Sequence, residues 1–319
     1  MTPRSTSNHG VVPALDADAL LAAVPGLQDS GIALAARSLR SLPGASLGFD
    51  DLNELACVIT EDAATGHSGF VITQGTDTIE ETAYYLDLAT DLTLPIVVTG
   101  AMRNPAMAGA DGPANLLAAV HVAANSDARG MGCLVVMNDE IHAARHVRKT
   151  HSTSTAAFTS PNTGPLGCVV EGQPRFHTRP GVRPTLPSDR PRRQPRVALV
   201  PICLGDGGEL LRCLGEHLDG LVVAAFGAGH VPSTLVPLLE DHARRIPVIL
   251  TSRAGAGPVL RHTYGFSGSE QDLQDRGLIN GSWLDPYKAR VLLHLLLARQ
   301  ATPDEITAAY QTATSLPVL

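Results

Sequence analysis

The sequence predicts an α/β protein of two domains: a larger N-terminal one with a mainly parallel sheet flanked by helices, and a smaller C-terminal α/β one. Three observations carry this. Short apolar, β-rich runs alternate with segments of helical period. The runs are almost continuously apolar, as strands become when both faces of a sheet are covered. Between the two sets lies His177–Arg196, which holds Pro180, Pro184, Pro187, Pro191 and Pro195 together with Arg179, Arg183, Arg190, Arg192 and Arg193. Proline denies this stretch helix and central strand, and arginine keeps it solvated. It reads as a linker at 179–196, between domains at 1–178 and 197–319. An anion-binding role for its arginines is the alternative.

The strands predicted, in order, are Gly69–Thr73, Pro95–Thr99, Cys133–Met137, Val197–Cys203, Gly220–Ala225 and Pro247–Thr251. Ile79, Thr82, Ala83 and Leu86 fall on one face of a helix after the first strand. Leu116, Leu117, Val120 and Ala124 do the same after the second, where Asp111 is placed to cap and Pro113 suits the first turn. Further helices are predicted over Glu209–Leu218, Pro232–Arg244, Pro286–Ala298 and Pro303–Gln311. In such sheets ligands bind outside the carboxyl ends of the strands, so the strand-to-helix loops draw the eye.

The 319 residues are 44% hydrophobic and 17% charged, the composition of an ordinary globular chain rather than a disordered one. With a net charge of −7 and no basic stripe, a nucleic-acid partner is not expected. Cys57, Cys133, Cys168, Cys203 and Cys213 are scattered and form no CxxC, so they read as buried free thiols in a reducing compartment. The N-terminus shows no apolar signal region, and the greasiest run, Val291–Ala298, is too short to cross a bilayer. A cytoplasmic protein without a membrane partner is the expectation.

The sharpest local feature is Gly69–Thr78, where a buried strand runs into Gln74-Gly75-Thr76-Asp77-Thr78 and then a helix. Capping accounts for part of it, since Thr78 and Glu81 fit a capping box. That leaves the Thr76 hydroxyl and the Asp77 carboxylate to face a ligand. A second strand, within Val135–Asp139, runs towards Arg145, His146, Arg148, Lys149 and Thr150. A lysine is by default a solvated charge, but buried beside Asp77 it becomes a candidate base, and a threonine hydroxyl needs one to become nucleophilic. His142 and His146 have metal-ligand spacing without the glutamate of HExxH, so no metal site is expected. His230, in Gly227-Ala-Gly-His230, either lines a pocket or satisfies a turn. Gly205–Gly208 and Gly255–Gly257 match no nucleotide-binding loop, and Gly44-Ala45-Ser46-Leu47-Gly48 matches GxSxG without the strand that a nucleophile elbow needs.

Taken together, Gly69–Leu88, Val98–Arg103, Ala110–Pro113, Val135–Asp139, Val147–Lys149, Gly164–Gly167 and Lys288–Leu293 resemble, in this order, the bacterial-type asparaginase/glutaminase family, whose nucleophile is a threonine. The resemblance runs from about Val12 to the last helix. It implies hydrolysis of L-asparagine without metal or organic cofactor, by a homotetramer arranged as a dimer of dimers. It also implies a catalytic trio of Thr76, Lys149 and Asp77. Asp77 would bind the substrate's α-ammonium, helped by Glu270 from across a dimer, and a desolvated cation needs such carboxylates. Locally, Glu270 reads equally well as a first-turn helix carboxylate. Gly75 and Ala101 would contribute backbone to the substrate pocket.

Three departures qualify the match. The family opens with a strand ending in T-G-G-T-I-A, whose last threonine is the usual primary nucleophile; that motif is absent, and the expectation is that Met1 is an internal methionine just past it. No lid tyrosine matches within Asn8–Leu15, and the hydroxyls of Thr2, Ser5, Thr6 and Ser7 have no framed base. Gly44 stands where relatives carry a serine that binds the substrate carboxylate, with Ala45 and Ser46 beside it, and His230 where some carry asparagine. The rival expectations are a non-catalytic amino-acid-binding relative and a glutaminase or ammonia-supplying amidotransferase subunit.

Overall fold

The computed structural model describes residues 17–22, 24–186, 193–214 and 217–313. Met1, the Thr2–Ser7 hydroxyls and the Asn8–Leu15 segment therefore lie outside the described residues, as do positions 187–192 of the proline-rich stretch. The chain divides into two compact units, Met1–Pro180 and Gly181–Leu319.

The first unit runs α1 (Ala17–Ala22), α2 (Phe49–Ala63), β1 (Phe70–Thr73), α3 (Ile79–Ala89), β2 (Ile96–Thr99), α4 (Gly112–Ala124), β3 (Cys133–Met137), β4 (Glu140–Ala143), β5 (Arg148–Lys149), β6 (Phe158–Thr159), β7 (Gly167–Val170) and β8 (Gln173–Phe176). One sheet has the order β1-β2-β3-β4-β7-β8. Its first three strands are parallel. The last three extend it in antiparallel fashion. The change of direction is made by Asn138 and Asp139 at φ 53° and 60°. Two left-handed residues make the tight turn whose twist matches a hairpin, and Asn and Asp tolerate that conformation. Among the described residues β5 and β6 pair only with each other, as a ribbon outside the large sheet.

Helix α4 packs Ala118, Ala119, Val122 and Ala123 onto Val97, Leu134, Val136 and Ile141 of the sheet. Small side chains let it approach closely. Helix α3 is buried at every position but Glu81, so its acids must find partners. Asp87 accepts the Cys133 backbone N–H at 2.8 Å.

The second unit runs β9 (Val197–Pro201), α5 (Glu209–Cys213), β10 (Gly220–Ala225), α6 (Val236–Ala243), β11 (Val248–Ser252), α7 (Glu270–Asp275), β12 (Ile279–Asn280), α8 (Pro286–Ala298) and α9 (Pro303–Ala313). Its four strands, ordered β12-β11-β10-β9, are all parallel. Asp285 caps α8 by accepting the N–H groups of Tyr287 and Lys288, and its other oxygen meets the wholly buried Lys288 Nζ at 2.8 Å. Asn280 is saturated: its Nδ2 donates to Leu260 O and Gln274 Oε1 at 2.7 and 3.0 Å, and its Oδ1 accepts Ser282 N–H at 2.6 Å.

Several local expectations are corrected. Asp111 does not cap α4; it accepts the N–H groups of Met102 and Arg103 at 2.9 and 2.8 Å, because the loop after β2 folds back over it. Thr78 and Glu81 form no capping box, since the Thr78 hydroxyl is drawn away to Gly44 O at 3.0 Å. The helix starting at Glu209 ends at Cys213. Only Cys133 among the thiols is buried; Cys57 and Cys168 are partly so, Cys203 and Cys213 are exposed, and all are free. His142 lies on strand β4, in a segment expected to be loop. The arginines of the proline-rich stretch that are described serve the protein itself: Arg179 donates to the carbonyls of Asp127 and Arg129, and Arg193 pairs with Asp219. Among the described residues, no helix is long and apolar enough to cross a membrane, and no group of three His, Cys, Asp or Glu side chains is set to hold a metal ion.

Candidate active site

Strand β1 ends at Thr73, and the chain turns at the carboxyl edge of the sheet. Gln74 N–H donates to Thr99 O at the end of β2, and Thr76–Thr78 form a single 3-10 turn before α3. That turn is braced from behind. Gln74 Nε2 donates to Thr78 Oγ1 at 3.2 Å, and Thr78 Oγ1 donates to Gly44 O at 3.0 Å. Gly44 begins a 3-10 turn ahead of α2 and is buried against Gly75: a Cβ on Gly44 would lie 2.7 Å from Gly75 O. Gly100 is equally close, its notional Cβ falling 2.5 Å from Gln74 O. Glycines here let three backbone segments meet.

With Thr78 occupied in bracing, Thr76 and Asp77 face Lys149 of β5. Lys149 Nζ donates to Thr76 Oγ1 at 2.9 Å and lies 3.2 Å from Asp77 Oδ1. The Lys149 side chain is 15% exposed and that of Asp77 63%, so the lysine is sheltered while the carboxylate stays open to a ligand. Asp77 orients the ammonium, and Lys149 touches the hydroxyl it could deprotonate once it has itself lost a proton. Ala101 follows Gly100, whose carbonyl accepts from Asn115 Nδ2 at 3.0 Å; the same asparagine accepts Asn138 N–H at 2.9 Å. One side chain thus fixes the ends of β2 and β3. Ala45 and Ser46 are exposed, and the Ser46 hydroxyl makes no hydrogen bond among the described residues.

His230 and Glu270 belong to the second unit. Glu270 opens α7 and is wholly buried, one oxygen accepting the N–H groups of Thr263 and Tyr264 at 2.9 and 2.8 Å. Its other oxygen lies 3.3 Å from His230 Nε2. Burial pushes this carboxyl up, but the N–H groups of Tyr264, Thr263 and its own residue, together with His230, outweigh that and hold it below the ordinary value. The His230 ring, 25% exposed, sits edge-on between Tyr264 and Phe266, with centroids 4.8 and 5.0 Å away. Glu270 is thus more than a first-turn carboxylate.

A second polar row proves structural. Ser160 Oγ meets His142 Nδ1 at 3.0 Å, and His142 Nε2 lies 3.3 Å from Glu140 Oε2 without the alignment of a hydrogen bond. Serine, histidine and acid are in line, but the hydroxyl is buried, out of a substrate's reach. Burial alone lowers His142 to about 4.

Sequence reasoning missed the bracing role of Thr78, the aromatic pair Tyr264 and Phe266, and Glu80. Glu80 lies four residues after Thr76, is buried, and accepts the Lys149 backbone N–H at 3.3 Å. The available signal was a carboxylate inside the apolar face of α3.

The chain matches two family models, "Asparaginase, N-terminal" over residues 2–181 and "Glutaminase/Asparaginase C-terminal domain" over residues 196–310. It is 38% identical to a probable L-asparaginase of Deinococcus radiodurans, over 89% of this chain and 87% of that one. It is 36% identical to the glutaminase-asparaginase of Pseudomonas fluorescens, over 90% and 79%. The crystal structure of a probable cytoplasmic L-asparaginase from Campylobacter jejuni superposes with a TM-score of 0.86 at 33% identity, covering 93% of this chain and 94% of that one.

Proposed function

The chain belongs to the asparaginase family, and from that premise we propose that it hydrolyses the side-chain amide of L-asparagine to L-aspartate and ammonia through a threonine acyl-enzyme. The observation that carries the mechanism is the 2.9 Å contact between Lys149 Nζ and Thr76 Oγ1, with Asp77 beside it. A threonine hydroxyl attacks the amide carbon, and neutral Lys149, through Thr76, takes the proton released. The resulting ammonium gives that proton to the amide nitrogen, and ammonia leaves. Water then adds to the ester with Lys149 again accepting a proton, and aspartate departs as the hydroxyl is restored. The reaction so written uses side chains and water alone and calls for no cofactor.

Asp77, open to a ligand, pairs with the substrate's α-ammonium. Gly44, Ala45, Ser46, Gly75 and Ala101 surround the remainder of the substrate, while Glu270 and His230 serve it within a homo-oligomer, a dimer of dimers. A cytoplasmic location fits the scattered free thiols and the description of the Campylobacter relative. L-Glutamine is the second reading, favoured by the name of the Pseudomonas relative.

The test is ammonia release from both amino acids by the parent, Lys149→Met and Thr76→Ala, with an acid quench to locate the acyl group. Each variant is expected to lose roughly 10³-fold in kcat with an unchanged folded signal, and the acyl mass to map to a threonine. Near-parental turnover by Lys149→Met would remove it as base; an acyl group on a residue other than threonine would remove the threonine acyl-enzyme.

A further inference from the structure

We propose that Glu80 is a positioning residue for this reaction, holding the main chain of Lys149 while Thr76 and Asp77 hold its ammonium. The inference rests on the reading of Lys149 as the base. It begins from a weakness in the fold. Lys149 sits on β5, a strand of only two residues that among the described residues pairs with β6 alone and does not join the six-stranded sheet. The ribbon aligns Arg148 with Thr159 and Lys149 with Phe158.

Successive N–H groups of a strand point to opposite edges. Thr150 N–H points inward, donating to Ala157 O at 2.7 Å. Lys149 N–H points outward, to the edge where a further strand would normally accept it. There the acceptor is Glu80 Oε1, at 3.3 Å. A side-chain carboxylate from the first turn of α3 thus does the work of a missing strand carbonyl.

The source of that carboxylate gives the contact its meaning. Residues 76, 77 and 80 all belong to the passage from the 3-10 turn into α3. The same short segment therefore grips Lys149 twice, Nζ through Thr76 and Asp77 and the backbone through Glu80. Glu80 is 7% exposed, so it is not a solvated surface charge. Glu81, the next acid, is the one position of α3 that is not buried. Fixing both ends of the lysine sets the Nζ–Oγ1 distance, and a displacement near 1 Å at such a contact costs about 10²-fold in rate.

The experiment compares Glu80→Gln, which keeps the length and an acceptor, with Glu80→Leu, which keeps the bulk without one, and with Glu80→Asp, which withdraws the acceptor by a methylene. Readouts are kcat and KM for L-asparagine, and thermal unfolding. Glu80→Gln is expected to stay within about 3-fold of the parent kcat. Glu80→Leu and Glu80→Asp should lose about 10²-fold in kcat with KM within about 2-fold. If Glu80→Leu does not fold, the contrast between Gln and Asp decides. Full kcat in a folded Leu or Asp variant overturns the proposal, as does a Gln variant as impaired as Asp. Lys149→Met runs in parallel: if it is inactive while Glu80→Leu or Glu80→Asp is not, only the positioning role falls; if Lys149→Met turns over, the base assignment falls and this role with it.

Discussion

Gly44 has no room for a side chain. Its notional Cβ lies 2.7 Å from the Gly75 carbonyl oxygen, and what it meets there is backbone that cannot rotate aside. A methyl group must therefore push the Gln74–Thr78 turn away from the segment before α2. Gly44→Ala is expected to cost about 1–3 kcal/mol, the usual range for overpacking, and to raise KM because Asp77 moves with the turn. Urea unfolding and steady-state kinetics on the one variant read both effects; an unchanged denaturation midpoint would show that the two loops yield independently. The meeting of Thr76, Asp77 and Lys149 was legible in the sequence, because Thr76 and Asp77 follow an apolar strand and Lys149 lies within a recognisable stretch. Glu80 was not, because its task is to accept a hydrogen bond from a residue 69 positions away. Spacing along one helix cannot report a contact made to another element.

Helix α8 begins with an acid that does two jobs. Asp285 takes the exposed N–H groups of the first turn and also neutralises Lys288, whose ammonium has no exposed surface. Loss of a cap costs about 1 kcal/mol, and breaking a buried ion pair about 3–5 kcal/mol. Asp285→Ala is therefore expected to destabilise the second unit by several kcal/mol, and Asp285→Asn, which keeps the cap oxygen, by less. Denaturation with a probe in the second unit checks the ranking; equal losses would mean that the cap adds nothing to the ion pair. At this scale β2, β3, β10 and β11 were readable, since they are buried along their length and largely apolar, as were the half-covered β1 and β9 from their apolar runs; parallel β12, two residues long, went unpredicted. β4, β7 and β8 were not readable either. Gln173-Pro174-Arg175-Phe176 alternates between exposed and covered positions, and β4 carries Glu140 and His142. Helix α2 escaped notice because acids crowd its first turns; Asp51 there accepts Gly48 N–H at 2.9 Å.

Each unit of the molecule carries a histidine that burial keeps neutral. His142 in the first and His294 in the second are lowered from 6.5 to about 4, His142 by desolvation alone, His294 by desolvation and then the charge of Arg290, against a backbone hydrogen bond at Pro195. In the unfolded chain both take up protons near pH 6.5, while the folded chain resists until about pH 4. Across that window the unfolded state binds more protons, so stability rises with pH; it is complete above 6.5 and is lost towards 4. At 1.36 kcal/mol per pH unit, each histidine accounts for roughly 3 kcal/mol of acid sensitivity. Chemical denaturation between pH 7 and 4.5 is expected to show the loss, and His142→Gln and His294→Leu should flatten the profile of their own units. A parental slope in both variants would place the acid sensitivity elsewhere. The chain divides at Pro180–Gly181, inside the stretch His177–Arg196 whose five prolines disfavour helix and central strand.

Asn280 is followed by Gly281, the pair in which a flexible chain most readily consumes itself: the next residue's nitrogen attacks the side-chain amide, a succinimide closes and ammonia is lost. Here that attack is blocked from both sides. The nitrogen of Gly281 is engaged with Leu250 O at 2.8 Å, and the Asn280 amide is tied at oxygen and nitrogen alike. A chain we assign to releasing ammonia from asparagine thus guards its own most labile asparagine, and its chemical ageing at this position is governed by how often β12 opens rather than by the reactivity of the pair.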